Sequence, residues 1–150
     1  MGKFFTTTVK CPIDGAAQHA AFTAGDILFD WTSFEIPKGG ARLLAVTALI
    51  RAKGDAGPTP NIFKFSLIFG KEGTTLGADN AVAFLTGKIT TDIFGSMEVD
   101  SVDFIGPAAV STQCLAVATD DAHTKGVVFQ PDPTSGTNVG YDKFYVAGIA

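Results

Sequence analysis

The stretch that decides the fold is Asn61-Ile62-Phe63-Lys64-Phe65-Ser66-Leu67-Ile68-Phe69, which shows the clearest two-residue periodicity in the chain. Four apolar side chains recur at every second position, namely Phe63, Phe65, Leu67 and Phe69. Lys64 and Ser66 fall on the opposite face. Successive side chains of a β-strand point to opposite faces of its sheet, so the pattern predicts a strand with one face on a hydrophobic core.

Segments of similar character follow one another along the chain and are separated by turn residues. The further strand candidates are Phe4–Lys10, Ile27–Phe29, Phe34–Ile36, Arg42–Arg51, Lys88–Phe94, Met97–Phe104, Val110–Thr119 and Tyr141–Ile149. In the last of these, Phe144 and Val146 are predicted to face one way and Tyr141, Lys143, Tyr145, Ala147 and Ile149 the other. Both faces of Arg42–Arg51 are apolar, which predicts a strand covered on both sides and paired antiparallel with Asn61–Phe69. Asn80–Leu85 is a candidate short helix.

About seven to nine short strands joined by turn-rich links are typical of an all-β fold. The sequence therefore predicts an antiparallel β-sandwich or jelly roll with long loops and at most one or two short helices. At 150 residues the chain has the size of one domain, spanning 1–150. Within it, residues 1–10 are expected to form an N-terminal arm or an edge strand.

The composition indicates that apolar surface is covered, either in a large core or by another protein. The chain is 46% hydrophobic and only 17% charged, whereas roughly 25% is usual. Because the centre of a protein–protein interface is poor in charge, we favour an interface. The net charge is −4 and the 11 basic residues are scattered, which argues against direct nucleic-acid binding.

The small number of cysteines and the lack of long apolar runs indicate a chain made in the cytoplasm. Cys11 and Cys114 are the two cysteines, and two buried free thiols are favoured over a single bridge between them. The first residues lack the apolar core of a signal peptide. No apolar run approaches the roughly 18 residues of a membrane span, so no membrane partner is expected.

The sequence contains no self-sufficient catalytic motif, so we expect a non-enzymatic protein without cofactor or metal. Ser96 lies outside any GxSxG pattern, and no Walker or GxGxxG motif is present. His19 and His123 lack partners at metal-ligand spacing. The carboxylates Glu98, Asp100 and Asp103 lie close together in sequence, and a solvated strand face is the favoured explanation. A divalent cation site and a small hydrolase remain alternatives.

Aromatic side chains outside the clearest strands are the candidate interface residues, because aromatic anchors dominate interface energies. They are Phe4, Phe5, Phe22, Trp31, Phe34, Phe84 and Phe129. The alternative is that these rings plug the ends of the domain. A carbohydrate-binding module is a further alternative, for which Trp31, Tyr141 and Tyr145 are the stacking candidates.

The order of several segments between Gly25 and Gly106 is similar to that of a known group of proteins, and Tyr141–Ile149 shows a weaker similarity. It rests on five segments, which are Gly25–Trp31, Phe34–Pro37, Leu43–Val46, Phe63–Phe69 and Leu76–Ala81. Their order resembles small structural proteins of tailed bacteriophages, especially phages of marine bacteria.

The resemblance implies a component of the virion. The expected function is an oligomeric capsid decoration or cement protein that stabilises the head by bridging major capsid subunits. A tail or neck component is the alternative within the same family. The implied partners are other copies of the chain and other virion proteins, above all the major capsid protein. The resemblance transfers no functional residue to a particular position.

Overall fold

The structure of the protein, a computed structural model, is built from antiparallel β-strands. It describes residues 4–12, 22–37, 39–51, 64–71, 73–85, 93–100, 103–105, 113–119, 127–130 and 143–150. The strands are β1 (Ile27–Glu35), β2 (Ala41–Arg42), β3 (Ala45–Arg51), β4 (Phe65–Gly70), β5 (Ile93–Val99), β6 (Phe104–Ile105), β7 (Gln113–Thr119), β8 (Val128–Phe129) and β9 (Lys143–Ile149). No helix occurs in these ranges, so the all-β class is confirmed. The choice between sandwich and jelly roll stays a prediction.

Four strands form the largest sheet, in the order β1-β9-β4-β5, with every neighbouring pair antiparallel. A three-stranded sheet has the order β3-β7-β6, and β2 pairs with β8. Of these pairings, β4 with β5 and β6 with β7 join consecutive strands, and the others join strands far apart in the chain. The four-stranded sheet is the element against which both hydrophobic cores are built.

The main core lies on one face of the four-stranded sheet and is rich in rings. Its buried members are Leu28, Phe29, Phe34, Ile36, Phe65, Leu67, Phe69, Met97, Val99, Val127, Phe129, Phe144 and Val146. Phe129 of β8 lies at its centre, with ring centroids 5.3 Å from Phe144, 5.4 Å from Phe69 and 5.5 Å from Phe34. These contacts are edge-to-face, which is a favoured aromatic geometry. Val46 and Ala48 of β3 also pack against this core.

The second core lies on the opposite face of the same sheet and is smaller. Its buried members are Ile27, Ile68, Leu76 and Ala147. Ile68 lies between Leu67 and Phe69, which belong to the main core, so the alternation of β4 places the two cores on opposite faces. Leu76 is supplied by residues 73–85, which we call the cover segment because Leu76, Ala83 and Leu85 pack on this face.

The strand periodicity predicted in β4 and β9 is confirmed. Phe65, Leu67 and Phe69 all point into the main core. In β9, Phe144 and Val146 likewise face the main core, while Ala147 and Ile149 face the second. Phe63 and Tyr141 lie outside the described residues. Alternation is a local property of an extended backbone, which explains why it can be predicted without knowing the partner strands.

The break expected between the strand candidates Ile27–Phe29 and Phe34–Ile36 is wrong, because β1 is a single nine-residue strand that includes Trp31 and Phe34. Its pairing with β9 is irregular, with register shifts between Ile27 and Phe29 and between Phe29 and Thr32. Asp30 lies at the second shift, where its carboxylate accepts the backbone N–H of Trp31 at 2.8 Å. The carboxylate thus supplies an acceptor for a backbone N–H where the pairing with β9 is interrupted.

The expected break between Phe94 and Met97 is also wrong, because β5 runs through Gly95 and Ser96 without interruption. Gly95 is not a turn residue. A Cβ placed there would lie 2.9 Å from Cγ1 of Val127. The glycine therefore makes room for β8, and a close approach of this kind looks the same in sequence as a turn.

The predicted pairing of Arg42–Arg51 with Asn61–Phe69 is wrong. β3 pairs with β7 in the register Ala45↔Thr119 to Arg51↔Gln113, while β4 pairs with β5 and β9. Nor is β3 covered on both sides, since Leu49 is 54% exposed. An apolar strand face favours burial, but exposed apolar side chains are also common on protein surfaces.

Two further local expectations fail. Residues 80–85 are not helical, because Asn80 has a left-handed backbone at φ 55° and Val82 forms a β-bridge with Asp26. The strand expected over Phe4–Lys10 is absent, and residues 4–12 belong to no strand. None of the described residues lies in a helix with the length and apolar character needed to cross a membrane.

Candidate interaction surfaces

Two of the seven candidate interface residues are core residues. Phe34 is 8% exposed and Phe129 is 4% exposed, and both belong to the main core. Their rings contact one another edge-to-face at 5.5 Å between centroids. They fill the space between the four-stranded sheet and β8, which leaves neither ring available as an anchor on the surface.

Two more candidates are half-buried. Phe22 packs against the main core and Trp31 against the second core. Each therefore contributes to folding and presents only part of its ring outward. Trp31, a stacking candidate for a sugar, is therefore only partly accessible.

The remaining three candidates are exposed. Phe4 is 87% exposed, Phe84 64% and Phe5 44%. Phe4 and Phe5 lie in residues 4–12, which we call the arm, and its Val9 and Cys11 pack against the main core. Phe84 lies on the cover segment. The structure therefore separates the candidates into two core rings, two half-buried rings and three rings open to solvent.

Within the part of the chain that the structure describes, four exposed large aliphatic residues are absent from the predicted interface residues, namely Leu44, Leu49, Val82 and Val128. Leu44 and Leu49 both belong to Arg42–Arg51, the segment predicted to form a strand covered on both sides. Val128 alternates with the buried Val127 and Phe129, a pattern that two strand residues are too few to reveal. Val82 is exposed because it alternates with Ala83, which packs on the second core.

The first exposed surface lies on the side of the main core away from the four-stranded sheet. We call it the outer face of β3 and define it by Leu49 of β3, by Leu44 just before β3 and by Val128 of β8. Val46 and Ala48 point into the main core, whereas Ala45, Thr47 and Leu49 are exposed. Leu44 and Val128 are 48% and 52% exposed. Alternation thus gives β3 one face on the core and one face of small and apolar residues open to solvent.

The second exposed surface is the cover-segment surface, which we define by Val82 and Phe84. These residues alternate with Ala83 and Leu85, which pack on the second core. Since the main and second cores lie on opposite faces of the four-stranded sheet, the outer face of β3 and the cover-segment surface lie on opposite sides of it.

Hydrogen bonds hold the cover segment in place. Asp30 Oδ1 accepts the backbone N–H of Leu76 at 3.0 Å, and Leu76 is fully buried. Phe84 N donates to Leu76 O at 2.9 Å, which joins the two ends of a compact loop. Ile27 N also donates to Ala81 O at 2.9 Å. Phe84 is therefore presented from a loop with a defined backbone.

A second aspartate shapes the chain just before β1. The carboxylate of Asp26 accepts the backbone N–H of Thr23 at 2.6 Å and the Thr23 hydroxyl at 2.8 Å. Asp26 is 5% exposed, and buried carboxylates need such partners. Its backbone oxygen accepts Ala150 N at 2.9 Å. Asp26 therefore ties the start of β1 to the end of the chain.

Glu98 and Asp103, two of the three carboxylates considered as a cation or catalytic site, each bind a different local partner. Glu98 forms an ion pair with Lys64 at 2.8 Å. Asp103 Oδ2 accepts the backbone N–H of Asp100 at 2.8 Å, which closes the turn after β5. The hydrogen bond from Lys64 to Glu98 is the main cause that raises the pKa of Lys64. Across the described residues no three His, Cys, Asp or Glu side chains are grouped as metal ligands would be.

Cys11 is a free thiol packed against the main core, and burial raises its pKa. Tyr145 is packed as well, because Gly73 lies so close to its ring that a Cβ there would come within 2.6 Å. Lys143 Nζ lies 5.7 Å from the same ring centroid. These contacts give Cys11 and Tyr145 packing functions.

Comparison with known proteins adds no identification. No family model matches the chain, and neither a curated protein nor a solved structure matches it. Inference about function therefore depends on the two exposed apolar surfaces and the arm.

Proposed function

We propose that the chain is a non-enzymatic structural protein of a phage virion, and specifically an oligomeric capsid decoration protein that bridges major capsid subunits. The observation that carries the proposal is the presence of exposed apolar side chains on both sides of the four-stranded sheet. Leu44, Leu49 and Val128 lie on one side, and Val82 and Phe84 lie on the other.

A decoration protein needs at least two contact surfaces, because it binds its own neighbours and the lattice beneath them. A single apolar patch would suit a simple dimer. Two patches separated by a sheet suit a subunit placed between different partners, with contacts repeated by symmetry. An interface of ordinary size buries about 1,600 Å² in total, and each of these surfaces would supply its apolar centre.

The cover-segment surface is the better candidate for the capsid contact. Phe84 is a large ring at 64% exposure, and its backbone is held through Leu76 and Asp30. An anchor whose loop is already ordered loses little conformational entropy on binding, which favours affinity. Aromatic residues of this kind are common among the side chains that dominate binding energies.

The test uses shells assembled from the major capsid protein of the phage that encodes this chain, prepared without the chain. Purified chain is added, and bound copies are counted after sedimentation while shell melting is followed by calorimetry. We expect saturable binding, a higher melting temperature, and at least tenfold weaker binding for Phe84→Ser. Asp79→Asn is the matched control, because Asp79 is an exposed polar residue of the same loop.

Gold-labelled antibody against the chain locates it on intact virions. Label over the head supports decoration, whereas label confined to the tail or neck supports the alternative virion position. Unlabelled particles together with unbound shells would overturn the proposal.

A further inference from the structure

The arm is a strand-forming sequence that lies outside every strand. Phe4-Phe5-Thr6-Thr7-Thr8-Val9 consists of residue types that favour β-structure. No backbone hydrogen bond ties residues 4–9 to the rest of the described chain. Such a conflict between local preference and folded state is unusual in natural sequences, and pairing with a strand edge of another molecule would resolve it.

The arm is fixed at one end only. Val9 and Cys11 pack against the main core, while residues 4–8 are exposed and Phe4 is 87% exposed. Five residues extend about 17 Å as a strand. The arm is therefore placed to reach beyond its own domain and pair with a strand edge elsewhere.

β3 offers such an edge. Among the described strands it has β7 on one side and no strand on the other. The outer edge of β1 is less open, because Ile27 bonds with the cover segment there. The face of β5 away from the main core carries Ser96 and the ion-paired Glu98, which match an exposed phenylalanine poorly.

We infer that residues 4–8 add as an antiparallel strand to the outer edge of β3 in a second copy of this chain. This inference deepens the self-association that belongs to the proposed function and rests on it. The occupant is a second copy because the chain itself supplies both the strand-prone arm and the open edge.

One register matches exposed residues to exposed residues. It places Phe4 opposite Leu49, Thr6 opposite Thr47 and Thr8 opposite Ala45, all of them exposed in the single chain. Aromatic–aliphatic and Thr–Thr pairs of this kind stabilise neighbouring strands. On the other face Phe5 would lie opposite Ala48, a small residue beside which a ring fits. Addition of an extended segment to a sheet edge is a common mode of recognition.

The test is a cross-linking experiment between two differently tagged chains, with both native cysteines replaced by alanine. One chain carries Thr6→Cys, and the other carries Thr47→Cys. Ser33→Cys and Ser96→Cys are matched controls, because they place an exposed cysteine on the edge strands β1 and β5. We expect a mixed disulfide for the pair 6 and 47 in at least tenfold excess over either control pair.

A second measurement keeps the native cysteines. Thr6→Pro removes the backbone N–H that a partner strand would use, and Thr6→Ala keeps it. In sedimentation equilibrium we expect Thr6→Pro to weaken self-association at least tenfold without changing the unfolding midpoint, and Thr6→Ala to resemble the wild type. The mass of the wild-type oligomer reports the number of copies.

A monomeric wild type, or cross-linking at position 33 or 96 in preference to 47, would overturn the arm exchange. These outcomes test only the contact between the arm and β3, whereas the proposed function is tested separately by binding to shells. A chain that binds shells but shows no arm contact would retain the decoration function and lose this inference.

Discussion

Gly95 of β5 lies directly against Val127, so closely that a Cβ at position 95 would be 2.9 Å from one Val127 methyl carbon and 3.1 Å from the other. Val127 is 4% exposed, and it precedes β8, whose Phe129 lies at the centre of the main core. β8 can therefore pack this closely on the four-stranded sheet because position 95 of β5 is a glycine.

Gly95→Ala should destabilise the protein, because the added methyl forces Val127 and β8 away from the sheet. Overpacking of a core costs roughly 1–3 kcal/mol. The free energy of unfolding in urea measures the loss. Ser96→Ala is the control, since Ser96 is exposed and adjacent. An unchanged urea midpoint for Gly95→Ala would show that β8 does not require this close approach.

Asp30→Ala should loosen the cover segment. The change leaves the N–H of the fully buried Leu76 without its carboxylate partner, and an unsatisfied buried donor costs roughly 1–3 kcal/mol. Hydrogen exchange at the Leu76 and Phe84 amides should accelerate more than exchange in β4. Asp30→Asn keeps an oxygen acceptor and should have a smaller effect. Equal exchange rates in Asp30→Ala and wild type would show that the hydrogen bond from Leu76 to Asp30 does not hold the cover segment in place.

Phe129→Ala and Phe84→Ala should differ sharply, although both remove the same ring. Phe129 is buried and Phe84 is 64% exposed. Truncation of a core phenylalanine costs roughly 3–5 kcal/mol, whereas a surface change usually stays within about 0.5 kcal/mol. Thermal unfolding of the two variants tests the difference. Comparable destabilisation by both changes would mean that Phe84 is a packing residue.

The Cys11 thiol should react slowly in the folded protein, because burial raises its pKa and disfavours the reactive thiolate. Iodoacetamide labelling at pH 8, read at Cys11 by peptide mass spectrometry, should be slower in the native chain than in urea. The native chain holds this proton more tightly than the unfolded chain. Its contribution to stability is therefore complete below the ordinary thiol pKa and declines as pH rises through the folded value. Equal labelling rates in the native chain and in urea would contradict the expected slow reaction of Cys11.

The candidate interface residues show what the sequence pattern could and could not predict. Exposed Phe4, Phe5 and Phe84 were among the predicted interface residues, and the same criterion also selected the buried Phe34 and Phe129. An aromatic residue beside turn residues looks identical in sequence whether its ring faces solvent or a second layer. Only packing between β8 and the four-stranded sheet separates these cases.

By itself, the sequence determined that the protein is built of strands and which side chains of β4 and β9 face the main core. Both follow from the two-residue repeat of an extended backbone, which is local. The tertiary structure alone decided that β3 pairs with β7, that Leu49 faces outward and that residues 73–85 cover the second core. These outcomes depend on contacts between residues far apart in the chain, and hydrophobic burial is too non-directional to specify them from pattern.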